Sequence, residues 1–460
     1  MSFNLAQRVV AFLLLLAAAA QPHPAAQQPR AAAPYQLSAA DAAFLEDLSR
    51  RSFRFFAENA DPNTGLVRDR ARTDGSPHDA NYRDVASIAS TGFGLTALCI
   101  AAERRWIEPH EARQRVRRAL RFLAGEMPHE HGWFYHFVNM RTGQRVWQSE
   151  LSSIDTALLL AGVLTARQYF RDDAEIYKDA TKIYDRIDFP WMLNGHPTLL
   201  SMGWRPESGF INSRWDNYSE HTILYLMAIG SPTHPLKPAS WYAWERNWNH
   251  YKGYTYLGTA PLFTHQYSHA WVDYRRRREI KASRVDYFEN SIAATRAHRQ
   301  FCIDLAPKFP SYSENLWGIT ASDSANGYRA WGGPPATPDI DGSIVPCAAG
   351  GSLMFTPDIT VPALRAMREK FGDRIYGRYG FTDAFNPLTN WVNPDVIGID
   401  VGITLLSAEN LRTGNVWRWF MRNREIRRAL DLVGLRRMAD RRPLPKERTR
   451  RRPIPATAVP

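Results

Sequence analysis

Acidic side chains recur beside aromatic ones at points where the sequence predicts that buried helices begin. Asp216 and Glu220 stand in "RWDNYSEHTILYLMAIG", just before an apolar run. Glu150 and Asp155 stand in "WQSELSSIDTALLLAG", and Asp400 stands in "VIGIDVGITLL". Cleavage of a glycosidic bond requires two carboxyl groups on opposite sides of that bond, one of them kept protonated by its surroundings. The pattern therefore suggests general acid–base chemistry by paired carboxyl groups.

Acidic residues in the first turn of a helix also have a purely structural explanation. They complement the helix dipole and accept hydrogen bonds from free N–H groups. Asp400 fits that explanation less well, because an unpaired charge among its apolar neighbours would be costly. Asp395 stands five positions before Asp400, in "NPDVIGIDVG", and is the other acidic candidate there. Glu220, between Tyr218 and His221 and next to the apolar run, is a candidate proton donor.

Motifs of several other enzyme classes are missing from the sequence. It contains no G-x-x-x-x-G-K-[ST] loop, no H-E-x-x-H, no C-x-x-C and no G-x-S-x-G elbow. His265 and His269 in "HQYSH" are four positions apart, and Asp273 is the one obvious third ligand for a metal. We prefer hydrogen-bonding or core histidines to a zinc site here. Neither a metal nor an organic cofactor is predicted.

The cysteines Cys99, Cys302 and Cys347 make an odd count. Cys99 and Cys302 lie on apolar faces of predicted helices, so buried free thiols are expected. A disulfide scaffold and a thiol nucleophile are not predicted.

The elements that would carry these side chains are mostly helices. Ser38 is predicted to cap a first helix in "SAADAAFLEDLSRRSFRFFAENA", and Ser152 or Ser153 to cap another in "SSIDTALLLAGVLTARQYF". Further helices are predicted in "DVASIASTGFGLTALCIAAERRW", "HEARQRVRRALRFLAGEM", "AEIYKDATKIYDRI", "SEHTILYLMAIG", "ASWYAWERNWNHY", "DYFENSIAATRAHRQFCIDL", "TPDITVPALRAMREKF" and "GITLLSAENLRTGNVWRWFM". Strand patterns are few and short.

The order of these elements suggests one repeating architecture. A helix, an aromatic or glycine-rich loop and another helix follow one another about six times. No linker-like segment interrupts residues 35–430, so a single domain is expected. We predict an all-α fold, a single closed double ring of helices called an (α/α)6 toroid, rather than a bundle. Such a ring would collect one set of loops at one mouth, where an extended ligand can lie.

The two ends of the chain differ from its body. One Arg followed by a short apolar run predicts a secretory signal peptide over residues 1–26, and a spacer follows over 27–37. The folded domain is placed at 38–435, and residues 436–460 are expected to form a disordered, basic, Pro- and Arg-rich tail. We expect a bacterial protein that is periplasmic or secreted, with no integral membrane span after cleavage. An uncleaved anchor is the alternative.

The positive charge is concentrated near the C-terminus. The formal net charge is +12, and residues 412–460 alone hold 15 Lys or Arg against 4 Asp or Glu. The rest of the chain is therefore nearly neutral, which argues against nucleic acid as a partner. The basic end is expected to be solvated or to touch an anionic membrane or polymer.

Seven stretches, in collinear order, are similar to one known family. They are "GWFYHFVNMRTG", "SELSSIDTALLLAG", "RWDNYSEHTILYLMAIGSPTHPL", "PLFTHQYSHAWVD", "NLWGITASDSANGY", "GSLMFTPDITVPALRAM" and "VIGIDVGITLLSAENLRTGNVW". Together they resemble the glucoamylase-like domain of bacterial endo-β-1,2-glucanases, glycoside hydrolase family 144, which is related to a region of cyclic β-1,2-glucan synthases. The resemblance covers residues 40–430 or so. It implies an (α/α)6 barrel that hydrolyses β-1,2-glucan with inversion at the anomeric carbon.

The resemblance also implies roles for individual residues. Glu220 of "YSEH" matches the family's acid and Asp400 of "GIDVG" its base, while Glu150 and Asp155 match acidic residues of the cleavage subsite. The side chains that would contact sugar are Arg214, Trp215, Tyr218, His221, His265, Asp323, Tyr328 and Trp331. In this hypothesis Glu220 protonates the glycosidic oxygen, and Asp400 activates water directly or through a substrate hydroxyl.

Three alternatives stay open from the sequence. The first is another glycosidase specificity, either α-1,4-glucan cleavage of the glucoamylase type or exo-action that releases sophorose. The second is a non-catalytic glucan-binding protein of the envelope, against which the many carboxyl groups count. The third is a transglycosylase that makes or closes β-1,2-glucan rings. We expect a β-glucan oligosaccharide or polysaccharide as the ligand and a monomer as the assembly.

Overall fold

The structure is a computed structural model that describes residues 35–258, 260–336 and 339–438. Its α-helices are α1 Ala39–Glu58, α2 Ile88–Glu103, α3 Pro109–Gly125, α4 Ser153–Tyr169, α5 Ala174–Asp185, α6 Thr222–Gly230, α7 Ala239–Ala243, α8 Tyr267–Trp271, α9 Tyr287–Asp304, α10 Pro346–Gly350, α11 Pro357–Phe371, α12 Gly398–Arg412, α13 Asn415–Phe420 and α14 Arg424–Leu432. Single 3-10 turns span Trp191–Leu193, Leu262–His265 and Gly372–Arg374.

The strands are short and lie in the loops between helices. They are β1 Arg70–Arg72, β2 Val85–Ser87, β3 Phe137–Asn139, β4 Leu151–Ser152, β5 Gly203–Arg205, β6 Gly209–Phe210, β7 Trp248–Tyr251, β8 Tyr254–Leu257, β9 Arg277–Glu279, β10 Ser322–Ser324, β11 Gly327–Arg329, β12 Tyr376–Gly377, β13 Gly380–Phe381, β14 Phe385–Asn386, β15 Trp391–Val392, β16 Asp395–Ile397 and β17 Leu435–Arg437. In the described residues they form only two- and three-stranded sheets.

The helices are of two kinds, which differ in how their residues are buried. In α2, α4, α6 and α12 nearly every residue is buried, and the sequence is apolar around most of the helix. In α1, α3, α5 and α14 one face is buried and the other carries charges. A helix that is apolar all round belongs inside a protein, and an amphipathic helix belongs at its surface. The sequence thus separates inner helices from outer ones.

Contacts between the helices follow the same division. The inner helix α2 packs between α4 and α12, α4 also contacts α6, and α8 and α10 pack on α12. The outer helices cover this core: α1 lies on α12 and α2, α3 on α2 and α5, α5 on α4, α11 on α10, and α14 on α6. These contacts confirm a helix-rich domain with its core between inner and outer helices.

Helices α2 and α4 touch backbone to backbone. A Cβ atom on Gly92 would lie 2.2 Å from the carbonyl oxygen of Leu158, and one on Gly162 would lie 2.0 Å from the carbonyl oxygen of Gly92. No side chain fits at either position, so both glycines are needed for this close approach.

Short strands lead directly into three inner helices. β2 precedes α2, β4 precedes α4, and β16 precedes α12. β16 is antiparallel to β1, with Arg70 opposite Ile397 and Arg72 opposite Asp395. Because these pairings fix where each helix enters the core, they also place the side chains of its first turn.

Both predicted serine caps are observed. Ser38 Oγ accepts a hydrogen bond from Asp41 N at 3.1 Å, and Ser152 Oγ accepts one from Asp155 N at 3.2 Å. The helix predicted from "SEHTILYLMAIG" begins only at Thr222. As a result, the acidic residue of that stretch lies in a turn in front of the helix.

The helix predicted in "ASWYAWERNWNHY" is wrong over most of its length. Only Ala239–Ala243 is helical, and Trp248–Tyr251 is strand β7, paired with β8. The turn between the two strands has positive φ at Lys252 (46°) and Gly253 (83°). Two such residues in succession favour a tight hairpin, and this turn overrides the helical spacing of the aromatic residues.

The C-terminal prediction also needs correction. Residues 436 and 437, assigned to a disordered tail, belong to strand β17, which pairs with β9. The predicted signal peptide over 1–26, residues 27–34 of the spacer and residues 439–460 of the tail lie outside the described residues. Among the described residues no helix is long and apolar enough to cross a bilayer. The three cysteines are free and buried, as predicted.

Replacing Gly162 with Ala tests the contact between α2 and α4. The added methyl group would overlap the carbonyl oxygen of Gly92, so we expect the free energy of unfolding to fall by about 1–3 kcal/mol. The measurement is chemical denaturation followed by circular dichroism.

Gly125→Ala is the matched control, since a Cβ atom at the end of α3 meets nothing within 4 Å. This control should be neutral or stabilising by less than about 1 kcal/mol. Equal stability of the Gly162 and Gly125 variants would contradict the close contact.

Candidate active site

Three acidic side chains lie where inner helices begin. Asp155 is in the first turn of α4, Asp400 is in the first turn of α12, and Glu220 is two residues before α6. Each is at most 9% exposed. Helices α4 and α6 are in contact, and burial and the charge of Asp155 raise the pKa of Glu220.

Helix α8 contacts the segments that carry Glu220 and Asp400. The hydroxyl of Ser268 in α8 donates to the carbonyl oxygen of Glu220, and α8 packs on α12, which holds Asp400. Burial raises the pKa of the neighbouring Tyr267 hydroxyl, and the charges of Asp400 and Glu220 raise it further. Glu220 and Asp400 therefore lie on elements that meet at α8.

The surroundings of Glu220 favour its protonated form. Burial raises the pKa of Glu220, partly offset by a hydrogen bond that its Oε2 accepts from Ser219 Oγ. The backbone carbonyl of Glu220 accepts a hydrogen bond from Ser268 Oγ, and the same hydroxyl accepts one from Ile223 N at 2.9 Å. A protonated carboxyl on a fixed backbone suits a proton donor.

Asp400 lines one cavity with a second carboxyl group, Asp383, which the sequence analysis missed, and a hydrogen bond between the two side chains affects the pKa of both. A hydrogen bond between two carboxyl groups requires a proton on one of them. Burial raises the pKa of Asp400 to about 6, while hydrogen bonds from Asp383 and Cys347 lower it. Burial and the charge of Asp400 raise the pKa of Asp383 well above its ordinary value. The proton therefore resides on Asp383, and Asp400 is the group that ionises first.

The hydrogen bonds of Asp383 fix its orientation. Its Oδ2 accepts from Asp323 N and from Asn393 Nδ2, both at 2.9 Å. Its Oδ1 is buried and meets no N–H or hydroxyl donor among the described residues, so this oxygen is left for Asp400. The sequence carries a signal for this residue, because in "GFTDAFN" a carboxyl group stands among aromatic and apolar residues as Asp400 does.

Asp395, the competing candidate for the base, is held by cations. Its Oδ1 lies 3.0 Å from Arg72 Nη1, and its Oδ2 lies 3.7 Å from Arg70 Nη1 and 3.0 Å from His78 Nε2. These contacts occupy both carboxylate oxygens. The geometry therefore favours Asp400 over Asp395 as a group that can take up a proton.

Arg70, also missed in the sequence, gathers acidic residues around this site. Its guanidinium lies 3.0 Å from Asp69, 2.8 Å from Asp323 and 3.7 Å from Asp395. It also lies over the ring of Tyr82 at 4.7 Å. The side chain of Asp323 is thus ion-paired, while its backbone N–H binds the buried carboxyl pair.

His136 supplies a cation to the predicted subsite carboxylates. Its Nδ1 lies 3.2 Å from Glu150 Oε1, and its Nε2 lies 3.5 Å from Asp155 Oδ1. Burial lowers the pKa of His136, but the charge of Asp155 and the hydrogen bond and charge of Glu150 raise it to about 9 overall. The hydrogen bond from His136 is the main cause that lowers the pKa of Glu150 to about 2. At neutral pH His136 is therefore protonated and Glu150 is ionised.

Tyr328 and Arg214, both predicted to contact the ligand, differ in how far their side chains are open to solvent. Tyr328 is 66% exposed in the β10–β11 hairpin, directly opposite Asp323. Arg214 is partly exposed, but its Nη1 donates to the carbonyl oxygens of Leu193 and Leu199 at 2.8 and 2.7 Å. Tyr328 therefore presents an open aromatic ring beside the carboxyl groups, whereas Arg214 fastens a neighbouring loop.

The other predicted ligand contacts are buried. Those with 6% exposure or less are Trp215, Tyr218, His221, His265 and Trp331. Tyr218 stacks on Tyr287 with 5.6 Å between ring centroids, and burial lowers the pKa of His221 and of His265 to about 3. These neutral rings support the site from within the core. Direct contact with a ligand stays a prediction for them.

His269 of "HQYSH" and Asp273, the predicted third metal ligand, have other partners in the structure. His269 Nε2 lies 3.2 Å from Ser291 Oγ, and the carboxylate of Asp273 is bound by Arg275 at 2.8 Å. Among the described residues no three His, Cys, Asp or Glu side chains are arranged to hold a metal ion.

His136 is expected to stay protonated well above the usual range for histidine. Because folding raises its pKa from 6.5 to about 9, its contribution to stability should be complete below pH 6.5 and be lost as the pH rises through about 9. We therefore expect the difference in unfolding free energy between the wild type and His136→Asn to shrink across that window. Denaturation curves at a series of pH values measure it.

His234→Asn, in an exposed loop, serves as the control for this series. A difference between wild type and His136→Asn that does not change with pH would contradict the imidazolium bridge.

One family profile matches the part of the chain that holds most of this site. The profile is described as "Putative glucoamylase", and it matches residues 212–424. Glu220, Asp383 and Asp400 all lie within that range.

A curated relative is similar over most of this chain. It is the exo β-1,2-glucooligosaccharide sophorohydrolase (non-reducing end) of Parabacteroides distasonis, 27% identical over 431 residues. The match covers 85% of this chain and 58% of the relative. The chain therefore spans little more than half the length of that enzyme.

Two solved structures are similar along nearly their whole length. The endo-β-1,2-glucanase of Chitinophaga pinensis, in complex with sophorotriose and glucose, has a TM-score of 0.80 and 27% identity, covering 87% of this chain and 99% of that one. A protein of Bacteroides uniformis described as a putative glucoamylase has a TM-score of 0.79 and 30% identity, covering 88% and 99%. These matches confirm the resemblance found in the sequence. This chain therefore belongs to the glucoamylase-like family of bacterial β-1,2-glucanases, glycoside hydrolase family 144.

Proposed function

We propose that this protein hydrolyses β-1,2-glucan with inversion, with Glu220 as the general acid and Asp400 as the general base. The observation that carries the proposal is that two buried carboxyl groups have different partners, since Glu220 accepts from Ser219 and Asp400 faces Asp383. Burial raises the pKa of Glu220, which favours its protonated form, and Asp400, with a pKa of about 6, is ionised at neutral pH. An inverting glycosidase needs this combination of one acid and one base.

The substrate is proposed from the relatives. The similar proteins of known activity act on β-1,2-glucan or its oligosaccharides. The endo-acting enzyme is matched over 99% of its chain and the exo-acting enzyme over 58% of its length. We propose endo-action, the mode of the relative whose structure matches this chain with a TM-score of 0.80.

We also infer that the inner helices close into the (α/α)6 toroid. Inner helices α2, α4, α6, α8, α10 and α12 alternate along the chain with outer ones, and the last of them packs against the first, α12 on α2. In such a ring the starts of α4, α6 and α12 face one mouth. Export to the periplasm or medium, inferred from the signal-like residues 1–26, belongs to the same proposal.

In the proposed reaction Glu220 transfers its proton to the glycosidic oxygen as the bond to the anomeric carbon breaks. Asp400 accepts a proton from water, directly or through a substrate hydroxyl, and that water attacks the opposite face of the sugar ring. Asp383 is a positioning residue in this scheme. The O–H group of Asp383 donates a hydrogen bond to Asp400. This hydrogen bond orients the Asp400 carboxylate and keeps it ionised at a lower pH than burial alone would allow.

The product profile of the wild-type protein tests this function. Linear β-1,2-glucan should give reducing-end oligosaccharides of mixed length in the α-configuration, followed by NMR, and starch should give none. Sophorose as the single early product would replace endo-action with exo-action. Glucan binding without new reducing ends, or longer and cyclic products, would contradict hydrolysis.

Glu220→Gln should reduce kcat on β-1,2-glucan by about 10²-fold or more, because no proton then reaches the leaving oxygen. The same variant should cleave β-sophorosyl fluoride at nearly the wild-type rate, since fluoride leaves without protonation. Glu245→Gln, exposed in a nearby loop, is the matched control and should keep full activity on both substrates. Loss of activity on the fluoride as well would remove Glu220 from the acid role.

Three variants separate Asp383 from Asp400. Asp400→Asn should lose about 10²-fold or more of kcat, because the base is gone. Asp383→Asn should retain activity within about tenfold, because an amide can donate to Asp400 and still accept from Asp323 and Asn393. Asp383→Leu should lose more activity than Asp383→Asn, because the donor is absent.

The dependence of turnover on pH distinguishes a positioning role of Asp383 from a merely structural one, because a structural role would leave the acid-side midpoint unchanged. In the wild type, turnover should fall on the acid side with a midpoint near pH 6, where Asp400 gains a proton. In Asp383→Leu this midpoint should move to higher pH, because the hydrogen bond that lowers the pKa of Asp400 is lost. In Asp383→Asn it should stay close to the wild-type value. If Asp383→Asn proved as inactive as Asp400→Asn, Asp383 would be the base.

A further inference from the structure

A pocket rich in arginine lies at the opposite end of α12 from Asp400. It has a volume of about 360 Å³, and its charged lining residues are Asp273, Arg275, Arg277, Arg418, Arg427 and Arg437. Gly414 and Trp417, which follow the end of α12, also line it. Because α12 has 15 residues, this arginine pocket is about 20 Å along the helix axis from the proposed active site.

The charges in the arginine pocket do not balance. Asp273 binds Arg275 through two contacts of 2.8 and 3.0 Å and lies 3.8 Å from Arg437. Arg418 lies 3.4 Å from Glu103, which is not part of the lining. Five guanidinium groups thus share one lining carboxylate, although most of the chain is nearly neutral.

The strands behind the pocket place arginines directly opposite each other. In the β9–β17 pair, Arg277 faces Arg437 and Arg278 faces Arg436. Like charges in directly opposite positions of an antiparallel pair are destabilising. Side chains alternate between the two faces of a strand, and Arg277 and Arg437 are the pair on the pocket face. An anion held between them would replace this repulsion with attraction.

Two of the guanidinium groups are already held in position. Arg275 lies over the ring of Trp417 at 4.0 Å, and Trp417 Nε1 donates to the carbonyl oxygen of His269 at 2.6 Å. Arg277 Nε donates to the carbonyl oxygen of Asp273 at 3.1 Å, and its Nη1 to that of Leu435 at 3.3 Å. Burial lowers the pKa of Arg277, and the charge of Arg437 lowers it further. Guanidinium groups held in position in this way can donate their remaining N–H groups to a phosphate.

We propose that the arginine pocket binds a phosphate-bearing ligand, either a free phosphate compound or the phosphate of a lipid headgroup. β-1,2-Glucan carries no charge, so the substrate proposed for the distant active site does not account for five converging arginines. The volume is at the lower end of the range for small-molecule sites, with room for a phosphate and the group that carries it. This binding function is additional to glucan hydrolysis.

Isothermal titration of the full-length protein with inorganic phosphate and with pyrophosphate, at constant ionic strength set by sodium chloride, tests the proposal. The variant is Arg427→Glu combined with Arg437→Glu, and the control is Arg171→Glu, exposed in the loop after α4. We expect saturable binding of pyrophosphate by the wild type and the control, and at least tenfold weaker binding by the double variant. All three should hydrolyse β-1,2-glucan equally, which also shows that they are folded.

A second experiment, with lipid vesicles, identifies the source of the phosphate. Vesicles of phosphatidylglycerol and of phosphatidylcholine are sedimented with each protein. Binding to phosphatidylglycerol that is lost in the double variant and displaced by pyrophosphate assigns the pocket to headgroups. Pyrophosphate binding without this difference between vesicles assigns it to a soluble compound.

Two results would overturn the proposal. One is the absence of saturable binding of phosphate, pyrophosphate and vesicles by the wild type. The other is equal binding by the double variant and the Arg171 control. If charge reversal prevents folding, Arg427→Gln combined with Arg437→Gln replaces it, with the same expected weakening.

Discussion

The proton between Asp383 and Asp400 is the constraint on which the proposed chemistry depends. Two buried carboxyl groups in contact cannot both be ionised without a large electrostatic cost. Burial and the charge of Asp400 keep Asp383 neutral, and the hydrogen bonds from Asp323 N and Asn393 orient it, because they hold one oxygen of Asp383 and leave the other to face Asp400. The carboxylate that remains is buried and oriented, and it is poised to accept a proton near neutral pH.

The remaining acidic groups around the site differ in whether a cation lies beside them. Glu150 and Asp155 share the imidazolium of His136, and Asp395 lies between two arginines and a histidine. Glu220 is buried without a cation at hydrogen-bonding distance among the described residues and accepts from Ser219 instead. The hydrogen bond from His136 thus lowers the pKa of Glu150 to about 2, whereas burial raises the pKa of Glu220.

The sequence was most informative where the determinants are local. The caps at Ser38 and Ser152 and the fully apolar α6 follow from a few consecutive residues, and both were predicted. Asp383 was missed because its partners, Asp323 and Asn393, come from other loops and no spacing pattern announces them. The hairpin at Gly253 was missed for a different reason: a turn of two residues outweighed the helical spacing of the neighbouring aromatic residues. The roles proposed for Glu220 and Asp400 came from family resemblance, and the structure adds the contacts that distinguish Asp400 from Asp395.

The hydroxyl of Ser268 has a consequence for how this scaffold can vary. By bridging the carbonyl of Glu220 and the amide of Ile223, it ties the acid to the start of α8. The first part of the long connection between α6 and α8 supports the same turn, because Tyr218 N donates to the carbonyl oxygen of Glu245 at 2.9 Å. The exposed turn of the β7–β8 hairpin, at Lys252 and Gly253, takes no part in these contacts. Insertions or grafted loops at that turn can therefore reshape the surface around the site while Glu220 keeps its position.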